Sequence, residues 1–69
     1  MDMVEKELAS RKKNIKKEVE FLFKANMKFT DWDIPEADDE KASKILLSII
    51  KEAVAEIEED VYSGKYKNY

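Results

Sequence analysis

Cysteine and histidine are both absent from this 69-residue sequence, and each absence removes a class of protein chemistry. Without cysteine the chain forms no disulfide and offers no thiolate to a metal ion. Without histidine it lacks the commonest zinc ligand and the commonest general base at neutral pH. We therefore expect no catalytic residue, no metal site and no cofactor, and a protein that is not an enzyme.

Glycine and proline occur once each, as Gly64 and Pro35, so long stretches carry no helix breaker. Pro35 lies in the punctuated segment 30–37, which we interpret as a turn because proline cannot continue a helix. Gly64 is the expected left-handed residue just beyond a helix end. The sequence therefore predicts a helix over about 3–29, the turn over about 30–37, a helix over about 38–63 and a short tail over 64–69.

The size and composition indicate one domain that requires a source of stability beyond its own hydrophobic core. A chain of 69 residues rarely supports its own core without disulfides, a metal or a partner. The apolar fraction of 43% is too high for a disordered chain, whereas the charged fraction of 42% requires extensive solvated surface. With disulfides and the commonest metal ligand excluded, association remains, either with a second copy or with a larger protein.

Long apolar runs are also missing. No stretch approaches the roughly 20 apolar residues of a membrane span, and no signal peptide opens the chain. We therefore expect a cytoplasmic protein with no membrane contact. Glutamine is absent while lysine and glutamate are abundant, a bias typical of thermophiles and found equally in low-GC mesophiles.

The predicted second helix has an unusually wide apolar face. At about 100° per residue its central apolar side chains fall together. They are Ala42, Leu46, Ile49, Ile50, Ala53, Ile57 and Val61. Ile45 extends the face on one margin, and Leu47 and Val54 extend it on the other. The resulting arc of roughly 200° is twice that of an ordinary surface helix, so this helix requires at least two neighbours.

The predicted first helix has a narrow apolar stripe by comparison. Asp2 and Glu5 form a capping box at its start, and its apolar stripe includes Leu8, Ile15, Leu22 and Phe29 at heptad spacing. The second helix begins at one of two capping aspartates, Asp33 or Asp38.

Charge and the short turn favour an antiparallel two-helix hairpin. Residues 1–29 hold eight Lys or Arg and five Asp or Glu, whereas residues 30–69 hold five and eleven, so the two halves attract each other. We expect Leu46, Ala53 and Ile57 to pack on Leu8, Ile15 and Leu22. The fold class is thus all-α, a hairpin completing a helical bundle by dimerisation or by docking on a larger partner.

Two further clusters have competing interpretations. Lysines line the first helix opposite its stripe, beside Phe21, and would suit contact with a phosphate backbone. They are Lys6, Lys13, Lys17, Lys24 and Lys28. The acids Glu52, Glu56, Glu59 and Asp60 crowd the end of the second helix, where paired carboxylates would suit Mg²⁺. We favour a solvated face for both clusters, because charge runs on helices are usually solvated.

Phe21, Phe23, Met27 and Trp32 cluster around the turn and have two interpretations, a small satellite cluster under the turn or a contact patch for another chain. Phe21 lies too far from the apolar stripe for a lone hairpin to bury it, and Trp32 lies in the turn. Taken with the margins of the second helix, these residues predict a protein interface. Its members are Ile45, Leu47, Ile50, Val54, Phe21 and Trp32.

The function that these patterns favour is non-enzymatic. We expect a small accessory, adaptor or regulatory subunit that acts by helix–helix packing, within a nucleic-acid-processing assembly or elsewhere. The alternative is a dimeric four-helix-bundle protein that binds nucleic acid through the lysines of the first helix. A metal-dependent phosphohydrolase subunit ranks last, because the spacing of catalytic carboxylates is missing.

Overall fold

The computed structural model describes residues 2–69 and contains two helices in that range. Helix α1 spans Met3–Asp33 and helix α2 spans Asp39–Tyr62, with no strand in the described chain. The two helices contact each other and are joined by residues 34–38. The predicted all-α helical hairpin is confirmed.

Helix α1 begins where its cap predicts and ends later than expected. The Glu5 amide donates a hydrogen bond of 2.8 Å to the Asp2 carboxylate, which makes Asp2 the N-cap. The helix continues through Asp33, four residues beyond the expected end near Phe29. The cause is Pro35, which restricts the backbone of Ile34, the residue before it, and leaves the earlier residues helical. Ile34 accordingly has φ −132° and ψ 84°.

Helix α2 begins at the second of the two candidate caps. The Asp38 carboxylate accepts hydrogen bonds from the amides of Glu40 and Lys41, at 3.0 and 3.2 Å. Asp33 remains inside α1. Asp38 therefore satisfies two of the four amides that a helix start leaves without a helical partner.

Gly64 ends the second helix as expected. Its φ of +89° is in the left-handed region that favours glycine. The Lys65 amide donates to the Asp60 carbonyl at 3.0 Å, and the Gly64 amide donates to the Val61 carbonyl at 3.2 Å. This pair of hydrogen bonds is a Schellman motif, which satisfies carbonyls that would otherwise be orphaned.

The two helices shield each other only near the turn. On α1 the row facing α2 consists of Phe23, Met27 and Thr30, which are half-buried. On α2 the corresponding half-buried residues are Ala42, Leu46 and Ile50. Ala25, Asp31 and Ser43, which lie close to these residues, are half-buried as well. The remaining lengths of both helices are exposed to solvent, apart from Asp60 near the end of α2.

The expected packing of the helix faces is therefore wrong in part. Leu46 is half-buried as expected, but Ala53 and Ile57 are exposed. The first-helix residues expected to cover them, Leu8, Ile15 and Leu22, are also exposed. The heptad stripe lies about 100° around α1 from the row that faces α2. The turn determines which face of α1 meets α2, and that face carries Phe23 and Met27, not the heptad stripe.

The hairpin is consequently extended and has no core. Its Cα radius of gyration is 16.0 Å, against about 11 Å expected for a compact domain of this length. Its width of 26 Å exceeds the roughly 20 Å of two closely packed helices. Within residues 2–69 no side chain is fully buried.

The cap at Asp38 gives a first testable prediction. Asp38→Ala removes the acceptor for two amides and should lower the free energy of unfolding by about 1 kcal/mol. Asp33→Ala is the matched control, because it removes the same charge from an aspartate near the C-terminus of α1, where the helix dipole disfavours acids. Thermal melts followed by circular dichroism should show a lower Tm for Asp38→Ala alone. Equal losses in both variants would contradict the cap assignment.

Candidate interaction surface

The heptad positions of α1 form an uncovered apolar surface, here called the α1 stripe: Leu8, Ile15, Leu22 and Phe29. Its four side chains are between 37% and 53% exposed. The stripe runs from residue 8 to residue 29, or roughly 32 Å of helix. An apolar row of this length on a solvated helix is typical of a surface that another helix covers.

The apolar arc of α2 is uncovered on both margins. Ile45, on one margin, and Ile49 beside it are 52% and 55% exposed. Leu47 and Val54, on the other margin, are 46% and 56% exposed. Ile50 lies between the margins and is half-buried against α1. The predicted interface residues of α2 are therefore accessible, except for Ile50, which the hairpin itself partly covers.

A groove at the turn joins the Ile45 margin to the side of α1 that carries the stripe. The groove has a volume of about 330 Å³ and a largely apolar lining that includes Thr30, Ile34, Ile45 and Ile49. Among the residues of α1 that face α2, Thr30 lies nearest to the stripe on the helix wheel. Ile45, Ile49 and the α1 stripe therefore share one side of the hairpin.

Phe21 and Trp32 lie on the outer surface of α1, at 72% and 68% exposure. The rings of Phe29 and Trp32 meet edge to face, with centroids 5.6 Å apart and planes at 67°. A shallow hollow of about 350 Å³ lies between Phe21 and Trp32 and is also lined by Lys24 and Lys28. Since Phe29 belongs to the α1 stripe, this aromatic patch continues the stripe toward the turn.

The five lysines predicted as a nucleic-acid contact are all exposed. They are Lys6, Lys13, Lys17, Lys24 and Lys28. The Lys24 ammonium lies 2.8 Å from the Glu20 carboxylate, and this hydrogen-bonded ion pair lowers the pKa of Glu20. Phe21 shares shallow surface with Lys17 and Lys24.

The opposite charges of the two halves of the chain remain unpaired across the hairpin. The ion pairs of the described residues are local: Lys24–Glu20, Lys44–Glu40 and Lys65–Asp60, at 2.8, 3.2 and 3.4 Å. None of them joins α1 to α2. The attraction expected between the halves therefore acts without direct contact in this hairpin, and basic and acidic groups stay accessible to another chain.

The acidic residues at the end of α2 do not converge. Glu52, Glu56 and Glu59 are exposed, and the carboxylate of half-buried Asp60 pairs with Lys65. Nowhere in residues 2–69 do three acidic side chains come together in an arrangement suited to a metal ion. The same residues include no helix with the length and apolar content needed to cross a bilayer.

One pair of carboxyl groups that sequence reasoning missed lies where the helices meet. Asp31 lies near the end of α1 and Asp39 lies at the start of α2. The Asp39 carboxyl group raises the pKa of Asp31, because it favours a protonated, hydrogen-bonding Asp31 and repels an ionised one, and partial desolvation acts in the same direction. Six acidic residues lie between residues 31 and 40. Their number indicates that carboxylates repel one another near the turn, but it does not identify which two carboxyl groups interact. That identity depends on how the turn brings the helix ends together.

Comparison with known proteins identifies no relative: no protein-family model, no curated protein and no solved structure matches this chain.

The Asp31–Asp39 pair predicts a pH dependence of stability. The pKa of Asp31 is raised in the folded chain, so protonated Asp31 contributes to the free energy of unfolding. This contribution is complete below the pKa of an unfolded aspartate, about 3.9, and is lost as pH rises through the pKa of Asp31 in the folded chain. Asp31→Asn should therefore raise Tm at pH 7, and the gain should shrink in melts below about pH 4. Asp33→Asn removes a neighbouring charge of the same helix end as a control. An equal and pH-matched gain in both variants would contradict the pairing.

Proposed function

We propose that this chain is a small non-enzymatic accessory, adaptor or regulatory subunit that acts by helix–helix packing against another protein chain. One observation carries the proposal: apolar faces on both helices are exposed, while no side chain of residues 2–69 is fully buried. Hydrophobic burial is the dominant favourable contribution to folding. A chain with this distribution gains most of that contribution only when another surface covers it.

The size of the exposed surface supports this proposal. The accessible area is 6556 Å² for a mass of 8.1 kDa. A compact monomer of that mass exposes about 4,500 Å², so the hairpin exposes roughly 2,000 Å² more. The excess area is therefore of the magnitude that protein–protein interfaces remove from water.

The chemistry of the accessible side chains favours binding over catalysis. The groove at the turn is lined mainly by aliphatic side chains, with Asp38 and Lys41 as its charged members. Asp38 is already engaged in capping α2. Catalysis requires preorganised groups in a site that excludes water, usually with shifted pKa values. The surface described above offers apolar contact area and very little of that machinery.

A nucleic-acid-binding role is the second candidate, and the exposure of Phe21 favours it. A bare aromatic ring among lysines can stack on a base while the ammonium groups approach the phosphates. The ion pair of Lys24 with Glu20 weighs against this role, because it neutralises one lysine of the row. The sequence also contains a single arginine, Arg11, whereas arginine is the usual side chain for bidentate phosphate contacts.

The central part of the α1 stripe tests the protein-binding proposal. Ile15→Asp places a charge in the proposed contact surface and should abolish association, because an unpaired charge is costly to bury. Asn14→Asp creates the same residue and the same charge one position away, off the stripe, and should leave association intact. Sedimentation of the purified chain and capture of partners from lysate provide the two measurements.

The unchanged chain provides a stricter check on the same proposal. We expect it to sediment as an associated species, or to remain incompletely folded until a partner is present. A compact monomer that melts cooperatively at micromolar concentration would show that the hairpin needs no other chain, and would refute the proposal.

Nucleic-acid binding is tested by its dependence on salt. If the lysines contact phosphates, affinity for an oligonucleotide should fall steeply between about 50 and 200 mM salt, and Lys13→Glu with Lys17→Glu should abolish binding. Under the protein-binding proposal we expect no retardation of single- or double-stranded oligonucleotides even at low salt. Salt-sensitive binding that disappears in the double variant would instead establish the second candidate.

A further inference from the structure

The α1 stripe is placed symmetrically on its helix. Helix α1 spans Met3–Asp33, so its middle residue is Glu18. The stripe runs from Leu8 to Phe29, and its midpoint falls between Glu18 and Val19. Two antiparallel copies of α1 can therefore overlap along their whole length with the stripe in register. Leu8 then lies opposite Phe29 of the second copy, and Ile15 lies opposite Leu22.

The charges of α1 distinguish between the two orientations of such a pair. Residues 2–17 hold six basic and three acidic side chains, whereas residues 18–33 hold two basic and four acidic ones. An antiparallel pair places the basic half of each helix beside the acidic half of the other. A parallel pair would place the basic halves together, where like charges repel. Electrostatic complementarity thus favours the antiparallel orientation.

The second helix contributes to the same contact surface. Ile45 and Ile49 line the groove at the turn on the side of the hairpin that carries the stripe. In the antiparallel register the start of α1 from the second copy reaches this groove, since residue 4 falls opposite residue 33. Met3 and Val4 are 86% and 67% exposed in the hairpin. Their apolar side chains are the part of a second copy that suits the groove.

The area available matches what a stable dimer requires. Each hairpin exposes roughly 2,000 Å² more than a compact monomer of its mass. Covering that area on two copies would bury about 4,000 Å² in total, which lies within the range of obligate homodimers. A smaller contact would leave much of the apolar surface in water.

We infer that the chain pairs with a second copy of itself as an antiparallel four-helix bundle, in which the two α1 stripes face each other. The inference rests on the proposed function and names the partner that this function leaves open. The basic first half and the acidic second half of α1 determine the orientation of the pair. Ile45 and Ile49 bring α2 into the same interface. The turn of each copy lies at the opposite end of the bundle.

Cysteine cross-linking tests the orientation directly, because the natural sequence contains no cysteine. Leu8→Cys and Phe29→Cys are prepared separately, mixed, unfolded, refolded together and then oxidised. The antiparallel pair predicts a cross-linked dimer in the mixture and little in either variant alone, where the two thiols lie about 32 Å apart along the helix. Ile15→Cys mixed with Leu22→Cys provides a second pair should Phe29→Cys fold poorly. Asn14→Cys, off the stripe, controls for random collision.

Sedimentation of the unchanged chain completes the experiment, and each outcome has a definite meaning. A dimer that cross-links only in the mixtures supports the inference. A dimer in which each variant cross-links with itself overturns the inference, because the helices are then parallel, but it leaves the proposed function standing. A chain that stays monomeric and incompletely folded also overturns the inference and points to a different protein partner. A compact, cooperatively folded monomer overturns both.

Discussion

The limited contact between the two helices is the constraint on which the rest of this structure depends. Residues 34–38 join them in a short turn, and only the segments next to that turn shield each other. Ordering a residue costs about 1–2 kcal/mol of backbone entropy, and half-exposed side chains recover only part of the burial that offsets this cost. The surface that would complete the hydrophobic contribution must come from outside the hairpin. Under the proposed function, association would be part of how this chain folds as well as how it acts.

The features that sequence reasoning identified correctly are those determined by neighbouring residues. Asp2 and Asp38 cap the helices because a short acidic side chain can reach amides two or three residues ahead. Gly64 ends α2 because it tolerates a left-handed backbone. The absence of other breakers predicts two long helices, and a short turn between them predicts a hairpin. None of these conclusions requires knowledge of how the helices are packed.

The features that sequence reasoning missed depend on the path of the chain through the turn. A helical wheel shows that Leu8, Ile15 and Leu22 share a face, but it does not show which face meets the second helix. The extra turn of α1, ending at Asp33, helps to set that orientation, and it presents Phe23 and Met27 to α2. The same geometry brings Asp31 to Asp39, a pair that residue spacing alone does not identify.

The orientation of α1, which turns Phe23 and Met27 toward α2 in place of the stripe, leaves an apolar surface accessible on the hairpin. If α2 covered the α1 stripe, the apolar residues of the stripe would be buried within the hairpin. Because α2 packs about 100° away from the stripe, a row of four apolar side chains remains accessible along the whole of α1. The net charge of α1 changes sign near the midpoint of that row, so the helix carries its own preference for orientation. The two halves of α1 are complementary in charge and the stripe is centred on the helix, and these two features together support the proposed pairing with a reversed copy.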